Sequence, residues 1–170
     1  MIKSGELGVR EYNSNNTTKR YPDANFTMRM TYGTISGYQP ADAAYYRHYT
    51  TTQGVIEKEI PDDMEFSVPA DLKDKINSQD FGQYTDSRTN ELFVNFLSTN
   101  DITGGNSGSP IFNCKGELLG LAFDGNWEAM SGDIIFEPAL QRTINVDVRY
   151  MLFIMDKIGG AERLVKEVLY

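Results

Sequence analysis

Three short apolar runs predict strands in the second half of the chain, at residues 92–97, 110–113 and 118–123. The third run is apolar enough to predict burial on both of its faces. A turn is predicted at residues 113–117, where Gly116 supplies the positive φ that a hairpin needs. The serine- and glycine-rich segment between the first two runs is therefore predicted to be a loop held between strands.

The first half of the chain has weaker signals. Residues 26–32 alternate apolar and polar side chains, which predicts a half-buried strand that ends at the two glycines after it. Two stretches that each begin with a proline, residues 40–46 and 69–76, predict short helices. Turn-forming residues at 61–63 and 86–90 predict turns.

The hydrophobic period becomes helical from residue 148 onward. A first helical stripe, ended by two glycines, is formed by Val148, Met151, Leu152, Met155 and Ile158. A second, shorter stripe is formed by Leu164, Val165 and Val168. Together these patterns predict a mainly β fold with C-terminal helices, of the α+β class. The polar residues 1–20 predict an irregular arm, and residues 21–170 predict one domain.

Composition narrows the possible partners of this chain. The 170 residues carry a formal net charge of −8, which argues against nucleic acid as a partner because phosphate binding requires a basic face. The single cysteine, Cys114, excludes an intrachain disulfide. No apolar run approaches the roughly 18 residues of a membrane span. The sequence shows no metal-ligand spacing and no phosphate loop, so neither a metal nor another cofactor is predicted.

The candidate chemistry lies at Ser107, within the string Thr-Gly-Gly-Asn-Ser-Gly-Ser-Pro at residues 103–110. A serine nucleophile needs a general base, an acid to orient that base, and N–H groups directed at the oxyanion. The small neighbours of Ser107 allow the backbone N–H groups of Gly105 and Ser107 to converge. His48, the only histidine, is flanked by tyrosines and lies too few residues before the serine for a two-barrel peptidase, so it is assigned no role.

The order of residues around Ser107 separates two classes of serine hydrolase. An α/β-hydrolase needs glycine where Ser109 stands, a helix where Pro110 opens a strand-like run, and a histidine after the serine. The chymotrypsin order places both histidine and acid before the serine. Only that order is compatible with this chain.

Three segments, residues 21–29, 100–110 and 120–133, resemble the S46 dipeptidyl-peptidases, bacterial exopeptidases that remove dipeptides from free N-termini. The resemblance extends over residues 21–170. It implies that the chain is the C-terminal half of a chymotrypsin-like double β-barrel. It also implies that the catalytic histidine and aspartate lie in an upstream part of the enzyme, absent from this chain.

The resemblance also implies roles for individual residues. Ser107 matches the nucleophile, and the backbone N–H groups of Gly105 and Ser107 match the oxyanion hole. Asp124 matches an acid that holds the free α-ammonium of the substrate. Gly125 matches the position that sets the first specificity pocket, where glycine implies a preference for apolar or aromatic residues and arginine a preference for acidic ones.

The implied substrate is a peptide with a free N-terminus. The implied location is the bacterial periplasm or cell surface, and the full-length enzyme is expected to form a homodimer. Two hypotheses remain open from the sequence. Either the chain is the serine-bearing part of such an enzyme and is inactive alone, or it is a noncatalytic, protease-like module that binds peptides or a partner.

Overall fold

A computed structural model describes residues 28–131 and 136–169 of the chain. Within these residues a hairpin is formed by β1 (Tyr38–Ala41) and β2 (Ala44–Tyr46). An antiparallel sheet has the spatial order β3, β4, β7, β6, β5, and its strands are β3 (Tyr49–Thr51), β4 (Phe93–Ser98), β5 (Pro110–Phe112), β6 (Leu118–Gly125) and β7 (Thr143–Asp147). The architecture is thus mainly β, as the sequence predicts.

The helices are short, with at most nine residues each. They are α1 (Thr52–Glu57), α2 (Ala70–Ser78), α3 (Val148–Phe153) and α4 (Glu162–Val168). A π-helical stretch at Ile154–Ile158 continues α3, and 3₁₀ turns lie at Gly82–Tyr84 and Trp127–Ser131. None of the helices in residues 28–131 and 136–169 has both the length and the apolar character needed to cross a membrane.

The main hydrophobic cluster packs these helices against the segment that enters β4. Its buried members are Leu72, Ile76, Phe81, Tyr84, Leu92, Leu152, Phe153 and Val165. Phe153 lies at its centre, fully buried, with the rings of Phe81 and Tyr84 edge-on at 5.8 and 6.3 Å. Burial of a large aromatic side chain contributes several kcal/mol, so this cluster fixes α3 against the sheet.

The middle strand β7 buries polar side chains. Thr143 and Asn145 are almost completely inaccessible to solvent. The Thr143 hydroxyl donates to the Asn100 carbonyl at 2.6 Å, and the Asn145 amide donates to the Ser98 hydroxyl at 2.8 Å. Because a buried polar group is costly unless it is paired, these bonds hold β7 in one register beside β4.

An ion-pair network around two buried carboxylates, those of Asp86 and Asp147, connects the turn before β4 to the start of α3. Asp147 ends β7 and caps α3 by accepting from the Arg149 N–H at 2.8 Å. The Arg149 guanidinium donates to Asp147 at 2.7 Å and to Asp86 at 3.0 Å. Asp86 also accepts from Arg88, at 3.1 and 3.2 Å. These hydrogen bonds, those from Arg88 first, hold the pKa of Asp86 well below its usual value.

We expect Asp86→Asn to lower the free energy of unfolding at pH 7 by about 2 kcal/mol, because Arg88 loses its charged partner and Arg149 keeps only Asp147. The folded-state pKa of Asp86 lies below the unfolded value of about 3.9, so its stabilisation is present above that pH and is lost as the pH falls further. The variant should therefore lose less stability than the original protein between pH 5 and pH 2. Thermal unfolding at several pH values measures this, with the exposed Asp74→Asn as the control; an equal acid response in all three proteins would contradict it.

Most of the elements predicted for the second half are confirmed. The three strands, the hairpin turn with Gly116 at φ 79° and both C-terminal helices are present. The helix predicted at residues 69–76 is present as α2, and turns lie at the two predicted positions, 61–63 and 86–90. The arm predicted at residues 1–20 lies outside the described residues.

Three predictions for individual segments are wrong. Residues 40–46 form the β1–β2 hairpin and not a helix, since Ala43 adopts a φ of 61° and turns the chain back. The described part of the 26–32 strand, from Met28 on, pairs with no described strand, and its apolar side chains are exposed. Strand β6 is not buried on both faces, because Phe123 is 57% exposed.

Candidate active site

The serine loop consists of two consecutive turns. The Asn106 N–H donates to the Thr103 carbonyl at 3.2 Å, and the Ser109 N–H donates to the Asn106 carbonyl at 2.9 Å. The third residue of each turn is a glycine with positive φ, 92° at Gly105 and 85° at Gly108. This is the pattern of type II turns, in which glycine is favoured at the third position because it has no Cβ. The two turns place Ser107 at the exposed corner of the loop.

Strand β6 fixes the loop in place. The Gly108 N–H donates to the Ala122 carbonyl at 2.7 Å, and the Ala122 N–H donates to the Ser109 carbonyl at 2.8 Å. The pairing of β6 with β7 shifts register between Ala122 and Asp124, so Phe123 is an extra residue in a bulge. The Ser107 hydroxyl donates to the Phe123 carbonyl at 3.1 Å. The bulge thus gives the serine its hydrogen-bond partner.

Two backbone N–H groups of the loop are available to a ligand. Among the described residues, neither the Gly105 nor the Ser107 N–H donates to a backbone carbonyl. The Asn106 side chain instead accepts from the Thr103 N–H at 2.9 Å, which closes the first turn on its other side. Unpaired N–H groups next to a serine hydroxyl have the donor chemistry of an oxyanion site.

One cleft of about 250 Å³ brings the predicted site residues together. Ser107, Asp124 and Gly125 all line it, whereas Gly105 belongs to the adjacent turn and does not line it. Asp124 and Gly125 end strand β6, directly after the bulge that contacts the serine. One oxygen of the exposed Asp124 carboxylate accepts from the Gly125 N–H at 2.8 Å. The cleft therefore combines a serine hydroxyl with an accessible negative charge.

Apolar and acidic residues form much of the remaining wall. The apolar lining residues are Ile102, Phe123, Ala129, Met130 and Phe136. A second carboxylate, that of Asp101, also lines the cleft. The wall that carries Ala129 and Met130 is the 3₁₀ turn Trp127–Ser131, which follows β6. The cleft lining therefore combines apolar side chains with two carboxylates.

Arg142 also lines the cleft, and no sequence signal pointed to it. It is 7% exposed, and its guanidinium donates only to backbone carbonyls among the described residues. The acceptors are the carbonyls of Ser36, Gly37, Pro138, Ala139 and Gln141, at 2.7 to 3.3 Å. A guanidinium has five N–H donors, so these bonds use all of them. Arg142 thus holds the backbone around the cleft and has no donor left for a substrate.

Asn126, the residue after Gly125, connects Arg142 to the wall turn. Its side-chain oxygen accepts from the Arg142 N–H at 2.8 Å. Its amide donates to the Leu140 carbonyl and to Glu128, both at 2.8 Å. An asparagine after Asp-Gly is ordinary turn composition, so the sequence does not distinguish this buried, fully bonded side chain from a surface one.

The structure does not bring His48 to the serine. His48 is half-buried and lines a separate cavity, which shares no lining residue with the cleft at Ser107. Its ring packs edge-on to Tyr49 at 5.0 Å. Since the chain has one histidine, no histidine of this chain stands beside the candidate nucleophile.

Comparison with known proteins identifies the family. The sequence model of Peptidase S46 matches residues 7–169. Dipeptidyl-peptidase 7 of Porphyromonas endodontalis is 56% identical over 173 residues, which cover 99% of this chain and 21% of that protein. The Asp/Glu-specific dipeptidyl-peptidase of Porphyromonas gingivalis is 51% identical over 149 residues, 88% of this chain and 21% of that protein. The chain thus spans about a fifth of the length of these curated relatives.

Solved structures agree with the sequence match. The crystal structure of Porphyromonas endodontalis DPP11 in complex with the dipeptide Arg-Glu has a TM-score of 0.83 and 45% identity, over 94% of this chain and 23% of that one. The names of the relatives include both dipeptidyl-peptidase 7 and an Asp/Glu-specific enzyme, so the apolar preference expected from Gly125 stays a prediction. The resemblance found in the sequence is confirmed: the chain belongs to the peptidase S46 family.

Proposed function

We propose that this chain carries the nucleophile and part of the substrate site of a serine-type dipeptidyl-peptidase. The observation that carries the proposal is the single cleft lined by Ser107, Asp124 and Gly125. Its support from relatives is the S46 family match. The base and its orienting acid are proposed to come from the rest of the full-length protein, because His48 lies in another cavity.

The proposed reaction is acyl transfer through Ser107. A base draws the hydroxyl proton away from the Phe123 carbonyl, and Oγ then attacks the scissile carbonyl carbon. The N–H groups of Gly105 and Ser107 stabilise the oxyanion, and the departing amine takes the proton. Water then hydrolyses the dipeptidyl ester. Asp124 holds the substrate's α-ammonium in the same cleft, and so limits the length of the fragment removed.

We propose a preference for apolar residues before the scissile bond. Gly125 presents no side chain to the cleft, and the neighbouring wall is apolar. The guanidinium donors of Arg142 are all occupied by carbonyls, so the one described arginine of the cleft is not available to a substrate carboxylate.

The experiment uses the full-length protein encoded by the gene and four fluorogenic dipeptidyl reporters. The reporters carry an apolar or an acidic residue before the scissile bond, each with a free or an acetylated N-terminus. We expect kcat/KM to be at least 100-fold higher for the free apolar reporter than for its acetylated form, since acetylation removes the charge that Asp124 binds. Equal cleavage of both forms would refute the dipeptidyl-peptidase assignment, and preferential cleavage of the acidic reporter would refute the pocket assignment.

The chain alone is proposed to be inactive, because its one histidine, His48, lies in a cavity other than the cleft that Ser107 lines. We expect no labelling of the isolated chain by a serine-directed phosphonate under conditions that label the full-length protein. Circular dichroism of the same sample checks that the chain is folded. Labelling of Ser107 in the isolated chain would show that a base is present in these residues.

The remaining proposals concern the whole protein. The open five-stranded sheet is proposed to be one half of a double β-barrel, which fits the exposure of Phe112 and Phe123 at 57% each and of Met28, Met30 and Tyr32. A periplasmic or cell-surface location and a homodimeric state are proposed from the family resemblance alone.

A further inference from the structure

The side chain allowed at position 125 is limited by one contact. A Cβ built on Gly125 would lie 2.9 Å from the Cβ of Ala129, closer than carbon atoms normally approach. No other described atom lies within 4 Å of that Cβ apart from the chain neighbours of Gly125. The backbone of Gly125 is not in the left-handed region, so it accepts an L-residue without strain. Ala129 alone is therefore the obstacle.

Ala129 cannot withdraw easily, because its 3₁₀ turn is held on both sides. The Ala129 N–H donates to the Asn126 carbonyl at 2.9 Å. Asn126 is bound in turn to Arg142 and Leu140, at 2.8 Å each. On the other side, Glu128 accepts from the Tyr38 hydroxyl at 2.9 Å. Moving the turn away from position 125 would break several of these bonds at once.

From this geometry we propose that Ala129 is a second specificity-determining residue of the cleft, coupled to Gly125. It decides whether position 125 accepts a side chain, and thereby whether a charged group can be placed in this pocket. The inference rests on the proposed function, since it assigns a role in selecting the residue before the scissile bond. Both residues line the cleft, so a change at either one acts directly on the bound peptide.

A double-mutant cycle in the full-length protein tests the coupling. The proteins are the original, Gly125→Arg, Ala129→Gly and the double variant, assayed with the free apolar and acidic reporters and by thermal unfolding. Gly125→Arg alone should lower kcat/KM for both reporters and lower Tm, because the arginine displaces the wall turn. The double variant should recover Tm and cleave the acidic reporter at least tenfold better than Gly125→Arg does.

Gly125→Ala, with and without Ala129→Gly, repeats the cycle with a side chain that adds only the Cβ. This second cycle still measures the coupling between positions 125 and 129 if Gly125→Arg fails to fold. Gly54→Arg is the matched control, since a Cβ at Gly54 meets no atom within 4 Å and its effect should not depend on residue 129. Additive effects of the substitutions at 125 and 129 in both cycles, in an active protein, would overturn the role of Ala129 and leave the proposed function standing. An original protein that cleaves no dipeptidyl reporter would overturn the proposed function and the specificity role with it.

Discussion

Ser107→Ala is expected to lower kcat of the full-length protein by roughly 10⁴-fold or more, because the variant has no atom that can form the acyl-enzyme bond. The substitution removes one hydrogen bond, to the Phe123 carbonyl, from an exposed loop corner. Its effect on Tm should therefore be small, and substrate binding should persist. Steady-state kinetics with the free apolar dipeptidyl reporter measures the loss. Binding of an uncleaved peptide, measured by calorimetry, shows that the cleft remains intact.

Ser109→Ala is the matched control in the same loop. The Ser109 backbone forms the turn and pairs with Ala122, but the residue does not line the cleft. The alanine variant keeps both backbone hydrogen bonds and should retain the original activity. A Ser107→Ala protein that still cleaves the reporter at more than a tenth of the original rate would remove Ser107 from the role of nucleophile.

Asp124→Asn is expected to lower kcat/KM for free-amine dipeptidyl reporters by about 100-fold, the loss of about 3 kcal/mol that follows when one partner of a close charge pair is removed. Asparagine has the same shape and still accepts from the Gly125 N–H, so the end of β6 should keep its conformation. The acetylated reporter carries no ammonium, and its slow cleavage should not change. Steady-state kinetics give the ratio of kcat/KM between the original protein and the variant, once for the free reporter and once for the acetylated one.

Asp74→Asn gives the same change in net charge on an exposed residue of helix α2, and its kinetics should match those of the original protein. The comparison separates local binding of the ammonium from general attraction of a cationic substrate by an acidic protein. If Asp124→Asn lowered the rates of free and acetylated reporters by the same factor, Asp124 would act on the cleft structure and not on the ammonium.

The sequence predicts the strands at which local signals agree with the fold. Strands β4 and β6 are apolar runs of strand length, and the turn between β5 and β6 has Gly116 at the position that needs a positive φ. The segment at residues 40–46 is different. Its alanines favour a helix, but pairing of Tyr38 with Tyr46 across the Ala43 turn makes it a hairpin. Here the hairpin pairing overrides a weak helix propensity.

Strand β7, at the centre of the sheet, is not predicted from the hydrophobic pattern of the sequence. Its buried positions are occupied by Thr143, Asn145 and Asp147, and the apolar Ile144 and Val146 are only half-buried. Pattern analysis assigns apolar residues to the interior and polar residues to the surface. In β7 the polar residues are the more buried ones, so the pattern does not predict this strand. The polar residues are stable inside because Asn100, Ser98 and Arg149 pair with them. Those partners are distant in sequence or follow the strand, and only folding brings them together.

By itself, the sequence determined the family, the serine loop and the candidate residues Ser107, Asp124 and Gly125. The turns of the serine loop are a local property, because a turn with glycine at fixed positions has the same form wherever it occurs. Only the tertiary structure decided that these residues share one cleft, that the donors of Arg142 are occupied, and that His48 lies in another cavity. It also placed Ala129 against position 125. Such facts depend on distances between segments far apart in the chain, which are set by packing and not by local sequence.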